Sequence, residues 1–190
     1  MIDYLARLYG ASLVVRYNGG PQAAHTVVLP DGRSHTFAQF GSGSFIPHVR
    51  THLSNHMLIE PYAMANEAEV FNRTMGGGDI MDRLTVDPLC PIITPYHWML
   101  NRIREEARGA DRHGSCGMGI GEVRHFQEVG WPTITVGEMG DYDRMLVKLH
   151  EIKSLAFREA EQGTIEDRRW MAAERPKAVA EFYREFSKQI

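Results

Sequence analysis

The sequence predicts a mixed α/β fold followed by a mostly helical C-terminal part. Short β-rich runs alternate with helical patterns up to residue 136, and from residue 142 onward the chain is charged and helical with little β signal. We therefore expect an α/β core over residues 1–140 and a helical segment or subdomain over residues 141–190. With 190 residues, 43% of them hydrophobic, the chain can form an ordinary globular domain.

Charge and cysteine content exclude several classes of protein. Lys and Arg number 21 against 24 Asp and Glu, so there is no basic excess for binding nucleic acid and no polybasic run for a membrane surface. No apolar run approaches the roughly 20 residues that cross a bilayer. The two cysteines, Cys90 and Cys116, stand in unlike settings. We expect reduced thiols and a cytoplasmic protein.

The first half of the chain alternates between helix and strand. Gly10 ends an initial helical pattern, the run from Asn18 to Pro21 is a strong turn signal, and Pro61 suits the first turn of a helix. The predicted elements are a helix over 2–9, a buried strand over 13–17, a hairpin with strands at 26–29 and 34–37, a strand over 53–59 and a helix over 61–74.

The second half begins with short strand candidates and then becomes helical. Arg102 and Glu106 are four residues apart and can pair on one helix face, and Gly109 suits the end of that helix. The predicted elements are strands at 84–86 and 91–94, helices over 96–108 and 122–129, a strand over 133–136, and helices over 142–162, 165–174 and 176–187.

The first candidate site is the histidine loop, which we define as residues 18–26. It leaves a predicted strand with two glycines and presents Gln22, His25 and Thr26. Small residues let backbone groups approach a ligand, an amide both donates and accepts, and a histidine can exchange a proton near neutral pH. The alternative is a plain strand-to-hairpin loop with a surface histidine.

The second candidate site is the glycine loop, defined as residues 113–121. Its four glycines leave backbone N–H groups free to form an anion-binding nest, and Ser115 adds a hydroxyl donor, so a phosphate could bind without a lysine. The alternative is a flexible connector. Cys116 is a candidate nucleophile, but the sequence identifies no base for it.

Three histidines are spaced by four residues, at His48, His52 and His56. On a helix they would line one face and could bind a transition metal. Pro47 and the β-branched residues nearby favour an extended segment instead, in which the rings would be spread along a strand. The sequence also contains neither G-x-x-x-x-G-K-[ST] nor G-x-S-x-G.

Both loops belong to a set of motifs that resembles the adenylosuccinate synthetase family. The family signature V-V-R-[YF]-x-G-G-x-N-A-G-H-T is similar to residues 14–26. Three further segments follow in the family's order: I-T-P-Y-H at 93–97 with R-E-E-A-R-G at 104–109, G-S-C-G-M-G-I-G at 114–121, and V-G-E at 136–138. The resemblance covers residues 1 to about 140 and implies a P-loop-NTPase-like sheet with flanking helices.

The resemblance implies a ligase of AMP biosynthesis that joins inosine monophosphate (IMP) to aspartate with hydrolysis of GTP, or alternatively of ATP, and with Mg²⁺. A phosphoryl group is first transferred to the purine 6-oxygen, and the aspartate amine then displaces it. It implies His25 as the catalytic acid and a homodimer as the assembly. The implied substrate contacts are Gln22, Ala23, Ala24, His25, Ser115 and Cys116; the implied nucleotide contacts are Ala24, His25 and Thr26; and the implied magnesium ligand is Ala24.

Several residues depart from the family pattern. Ala24 stands where the family has a glycine whose carbonyl ligates magnesium, Cys116 replaces a threonine that holds the phosphate, and Met118 replaces an arginine. Counting places the family's dimer-interface arginine near Val129 or Gly130, where this sequence has no matching arginine, and the role is not transferred to Arg124. The family's G-D-E-G-K-G-K segment, which carries the catalytic Asp base, comes immediately before the segment matching residues 2–5.

We therefore expect a ligase fragment that is inactive alone: either the true start lies upstream and the gene is broken, or a second polypeptide supplies the rest. The alternative is a non-catalytic purine-nucleotide-binding or assembly module that keeps a nucleotide loop without turnover. In either case we expect the histidine loop and the glycine loop to serve one purine monophosphate. These residues do not specify the triphosphate, the acceptor base or the amine donor.

Overall fold

The computed structural model describes residues 1–76, 78–161 and 163–190, with the side chain of Ile165 left out. It contains two compact units, one formed by residues 1–90 with 188–190 and the other by residues 91–187. The predicted boundary at residue 140 lies inside the second unit and stays a prediction. Within the described ranges, no helix has the length and apolarity to cross a membrane.

The first unit is built on a small parallel sheet. Strand β1 pairs in parallel with β4, and β4 with β5, while β2 and β3 form a separate antiparallel hairpin. This confirms the α/β prediction. The bounds are α1 (Ile2–Leu8), β1 (Leu13–Gly19), β2 (His25–Val28), β3 (Ser34–Phe37), β4 (Arg50–Met57), α2 (Pro61–Met75) and β5 (Leu84–Val86).

Strand β1 is not the buried strand that its sequence predicts. Its alternate residues Leu13, Val15 and Tyr17 are 46%, 52% and 65% exposed, whereas Val14 and Arg16 are partly buried. The strand lies at one end of the sheet, and successive side chains of a strand point to opposite faces. The mostly apolar residues 13–17 of β1 therefore form one half-buried face and one exposed face.

The loop before β4 is packed tightly onto β1. A Cβ on Gly41 would lie 2.8 Å from the Thr51 hydroxyl oxygen, and a Cβ on Gly43 would lie 2.8 Å from a Val14 methyl carbon. Both distances are shorter than side-chain contacts allow. The two glycines, which in the sequence only mark a break between elements, are needed for this close approach.

The second unit is helical. Helix α3 packs against α4, α5 and α6, and α5 also packs against α6 and α7. Met145, Leu149 and Ile152 recur along α5 at core-facing spacing and are fully buried. The bounds are α3 (Pro95–Ala107), α4 (Ile120–Glu128), α5 (Tyr142–Glu159), α6 (Ile165–Ala173) and α7 (Pro176–Phe186). The predicted helix end at Gln162 lies outside the described residues.

Two predicted strands, at 91–94 and 133–136, are wrong. An isolated antiparallel bridge joins Pro91 to Thr135, and the Ile92 N–H donates to the Ile134 carbonyl at 2.8 Å. The chain turns at once into a short 3-10 segment, because the Glu138 carboxylate accepts the Thr135 N–H at 3.0 Å. The apolar residues Ile92 and Ile134 are buried, but a capping turn ends the extended pairing.

Candidate functional site: the histidine loop and the glycine loop

The histidine loop connects the end of β1 to the start of β2. Gly19 is the last residue of β1 and has a φ of 103°, a value that favours glycine, and His25 is the first residue of β2. The loop closes on itself because the Ala23 N–H donates to the Gly20 carbonyl at 3.3 Å. A turn does follow β1, as the signal at residues 18–21 predicts.

Arg16 holds the histidine loop from inside the first unit. Its guanidinium donates to the Ala23 carbonyl at 3.1 Å and to the carbonyls of Ala38 and Phe40 on the neighbouring segment. Burial lowers the pKa of Arg16, and the nearby Glu67 carboxylate raises it. The arginine of the V-V-R-Y motif therefore supports the loop through backbone carbonyls.

Glu67, on α2, completes this support. Its carboxylate accepts the N–H groups of Ala38, Gln39 and Phe40 at 3.0, 2.8 and 3.3 Å. Burial raises the pKa of Glu67, while the three N–H groups and Arg16 oppose that rise by stabilising the carboxylate. Sequence analysis missed Glu67, because a lone glutamate on a helix carries no signal of which backbone it will contact.

The residues that the resemblance assigns to substrate in this loop are largely accessible. Gln22, Ala24 and His25 are exposed and Ala23 is half-buried. Thr26 is exposed too, but its hydroxyl lies 2.9 Å from the Thr36 hydroxyl across the hairpin. The structure thus leaves His25 and its neighbours facing solvent, and their substrate roles stay predictions.

The glycine loop is fitted against the first turn of α3. Gly119 has a φ of 75°, and a Cβ there would lie 2.6 Å from the Trp98 backbone nitrogen and 2.7 Å from the His97 carbonyl carbon. No substitution avoids that backbone contact. Gly114 and Gly117 also have positive φ, at 73° and 70°. The glycines of the motif thus set the conformation of the loop and its distance from α3.

Several of the donors predicted to form an anion nest already have internal partners. The Gly114 and Ser115 N–H groups donate to one carboxylate oxygen of Glu105, at 2.7 and 3.2 Å. The Ser115 hydroxyl donates to the Asn101 side-chain oxygen at 2.8 Å and accepts the Gly117 N–H at 3.3 Å. The anion that these two N–H groups bind is therefore the carboxylate of Glu105.

The glycine loop leads directly into α4. Gly119 is the N-cap of this helix and provides no side-chain hydrogen bond to its first turn. The first N–H groups of an α-helix have no partner within the helix and favour negative charge. Cys116 is exposed, while Gly117 is buried against Arg102. The accessible part of this loop is therefore residues 113–116, and the loop then leads into α4, whose first turn carries the buried Glu122.

Two of the spaced histidines and Cys90, which the sequence also singles out, contact neighbouring residues of the first unit. His52 lies on β4 with Nδ1 3.0 Å from the Thr85 hydroxyl, and the His56 ring lies 5.1 Å from the Tyr17 ring. Cys90 is fully buried, and burial raises the pKa of its thiol to about 12. Among the described residues, no group of three or more His, Cys, Asp or Glu side chains could hold a metal ion.

His97 of the P-Y-H segment is a buried capping residue. Its Nδ1 accepts the Thr94 N–H at 3.1 Å, and its ring packs edge-on against Phe126 at 4.9 Å between centroids. Burial lowers the pKa of His97 to about 3, so the ring is neutral. Nothing in the motif alone distinguishes this role from a catalytic one.

These observations define a class of protein: a mixed α/β protein with a parallel sheet and two glycine-bearing loops. A fully ligated adenylosuccinate synthetase from Plasmodium falciparum has a similar fold, with a TM-score of 0.74 over 97% of this chain and 41% of that one, at 18% identity. A cyanophage S-2L succinoaminodeoxyadenylate synthetase, bound to dGMP and dATP as an energy donor, gives a TM-score of 0.55 at 22% identity over 72% of this chain and 36% of its own.

The sequence relatives agree with the fold. The sequence model of the adenylosuccinate synthetase family matches residues 1–190. The chain is 35% identical to the adenylosuccinate synthetase of Marinomonas sp. over 73% of its length and 31% of the relative's. It is 33% identical to that of Nitrosococcus oceani, over 80% of its length and 34% of the relative's. The chain belongs to the adenylosuccinate synthetase family, and it spans about a third of the length of these curated relatives.

Proposed function

We propose that this chain serves an adenylosuccinate synthetase reaction, in which IMP and aspartate are joined with GTP hydrolysis in AMP biosynthesis. The observation that carries the proposal is the family match over residues 1–190, together with the histidine loop held by Arg16 with His25 exposed at its end. The family also supports a cytoplasmic homodimer as part of the same proposal.

His25 is proposed as the acid of phosphoryl transfer. Charge develops on the bridging phosphate oxygen as the γ-phosphoryl group leaves, and a donor placed there stabilises it. His25 suits this role because its side chain is exposed. It is the first residue of β2, which pairs with β3 in the hairpin. Gln22 is proposed to contact the purine through its amide, and Ala23, Ala24 and Thr26 to contact the nucleotides along the loop.

The glycine loop is proposed to receive the phosphate of the purine monophosphate. Cys116 is exposed, the loop leads into the first turn of α4, and helix N-termini are common phosphate sites. Ser115 can add its hydroxyl if it exchanges its bond to Asn101 for one to the phosphate. Cys116 donates more weakly than the threonine that the family pattern has here.

The resemblance implies one magnesium ligand in this chain, the carbonyl of Ala24. No described non-glycine residue has a positive φ, so Ala24 adopts its backbone conformation without strain and can offer its carbonyl. A single carbonyl does not form the octahedral oxygen shell of Mg²⁺. The described residues alone therefore do not make a magnesium site, and Ala24 is proposed only as one ligand beside phosphate oxygens. ATP is kept as the alternative triphosphate.

A non-catalytic purine-nucleotide-binding module is the second candidate function. The observation that favours it is the internal pairing of the Gly114 and Ser115 donors, together with a thiol at residue 116. Such a module would bind a purine monophosphate and release no phosphate from a triphosphate.

Calorimetric titration with IMP tests the phosphate role of the glycine loop. We expect Cys116→Thr to bind IMP about fivefold more tightly than the unchanged chain, because a hydroxyl replaces a thiol as donor and one hydrogen bond is worth about 1 kcal/mol. Cys90→Ser serves as the control: Cys90 is fully buried and its thiol donates to the Ser54 carbonyl at 3.0 Å. If neither the unchanged chain nor Cys116→Thr binds IMP, the proposal is wrong.

A further inference from the structure

Glu105 joins the end of α3 to the glycine loop. One oxygen of its carboxylate accepts the N–H groups of Gly114 and Ser115, and the other accepts from the Arg108 guanidinium at 2.6 Å. Glu105 is only 8% exposed, so these three donors replace most of the water that the carboxylate would otherwise bind. A buried carboxylate with three donors is a fixed anchor for the backbone that supplies them.

The negative charge of the Glu105 carboxylate affects how strongly a phosphate can bind near the loop. An uncompensated carboxylate would repel a phosphate, but Arg108 is paired directly with Glu105 and balances its charge. Burial alone would raise the pKa of Glu105, and the Ser115 N–H, Arg108 and the Gly114 N–H together lower it below its ordinary value. The carboxylate therefore remains ionised and bound to the loop at neutral pH.

We propose that Glu105 is the positioning residue of the glycine loop. By occupying the N–H groups of Gly114 and Ser115, it fixes the loop so that Cys116 and the first turn of α4 remain available to the phosphate of a purine monophosphate. The proposal rests on the proposed function for the identity of the ligand. The contact between Glu105 and the glycine loop does not depend on that function, because the two N–H···O distances show it directly.

Three variants test the positioning role. Glu105→Ala removes the acceptor of both N–H groups, whereas Glu105→Gln keeps an acceptor oxygen of the same reach. Glu106→Ala is the matched control, because Glu106 is the next residue of α3 and is exposed. Amide hydrogen exchange at Gly114 and Ser115 reports the loop contact, and titration with IMP reports the consequence for the ligand.

We expect Glu105→Ala to exchange both amides at least about tenfold faster and to bind IMP at least about tenfold more weakly. Glu105→Gln should stay within about threefold of the unchanged chain in IMP affinity, and Glu106→Ala should match it in both measurements. Unchanged exchange or unchanged IMP affinity in Glu105→Ala overturns the proposal. If the unchanged chain binds no IMP, the proposed function fails, while the exchange data still decide the loop contact.

Discussion

At the scale of single residues, Gly119 is the position where the backbone tolerates least. Its φ of 75° and the 2.6 Å that would separate an added Cβ from the Trp98 nitrogen leave no room for a side chain. We expect Gly119→Ala to lower the free energy of unfolding by about 2–5 kcal/mol, since left-handed strain adds about 1–2 kcal/mol and overpacking about 1–3 kcal/mol. Urea denaturation measures the change.

Gly121 offers the matched control for that substitution. It lies two residues further on in α4, with nothing within 4 Å of an added Cβ and an ordinary negative φ. Gly121→Ala should raise stability by about 0.5–1 kcal/mol through better helix propensity. A loss of stability at Gly121 equal to that at Gly119 would show that the contact with α3 is not the cause.

His97 makes stability depend on pH. Burial lowers the pKa of the folded chain's His97 from 6.5 to about 3, so between these values the unfolded chain binds a proton that the folded chain does not. The contribution of His97 is complete above pH 6.5 and falls by about 1.4 kcal/mol per unit as the pH drops toward 3. His97→Gln keeps an acceptor for the Thr94 N–H but cannot titrate. Between about pH 7 and about pH 4.5, the free energy of unfolding should fall more for the unchanged chain than for His97→Gln. An equal fall in both proteins would contradict this.

At the scale of elements, sequence patterns predicted most helices and the hairpin because each is marked locally. Pro61, Pro95 and Pro176 each occupy the first turn of a helix. The strands at 91–94 and 133–136 failed because a capping turn, not the apolar run, decides where pairing ends. Likewise, Glu67 and Glu105 contact backbone 27–29 and 9–10 residues away in the chain, and no local pattern specifies such contacts.

The two faces of the parallel sheet should respond differently to substitution. Val15 on β1 is 52% exposed, whereas Leu53 on the adjacent strand β4 is fully buried. Val15→Thr should change the free energy of unfolding by less than about 0.5 kcal/mol, and Leu53→Ala should lower it by about 2–5 kcal/mol. Urea denaturation of both variants tests the assignment of faces, and a cost at Val15 comparable to that at Leu53 would show that this face is covered.

At the scale of the whole molecule, the charged and donor groups of the chain bear on whether it can transfer a phosphoryl group. That reaction depends on several positioned cations and donors around the transferred group. No lysine precedes Lys148 in the sequence, and the side-chain donors of the histidine loop include Gln22, His25 and Thr26. The chain spans 31% and 34% of the length of two curated relatives. We therefore expect the chain to contribute to the reaction rather than to catalyse it alone.

We expect the purified 190-residue chain to form no adenylosuccinate from IMP, aspartate, GTP and Mg²⁺, even where it binds IMP. A full-length relative assayed in parallel, such as the Marinomonas protein, controls for the substrates and the detection of product. Binding of IMP without product supports a contributing or non-catalytic chain, because it separates recognition of the monophosphate from transfer of the phosphoryl group. Product formed by the chain alone, and lost in His25→Ala, would contradict this expectation and would establish His25 as a catalytic residue of a self-sufficient enzyme.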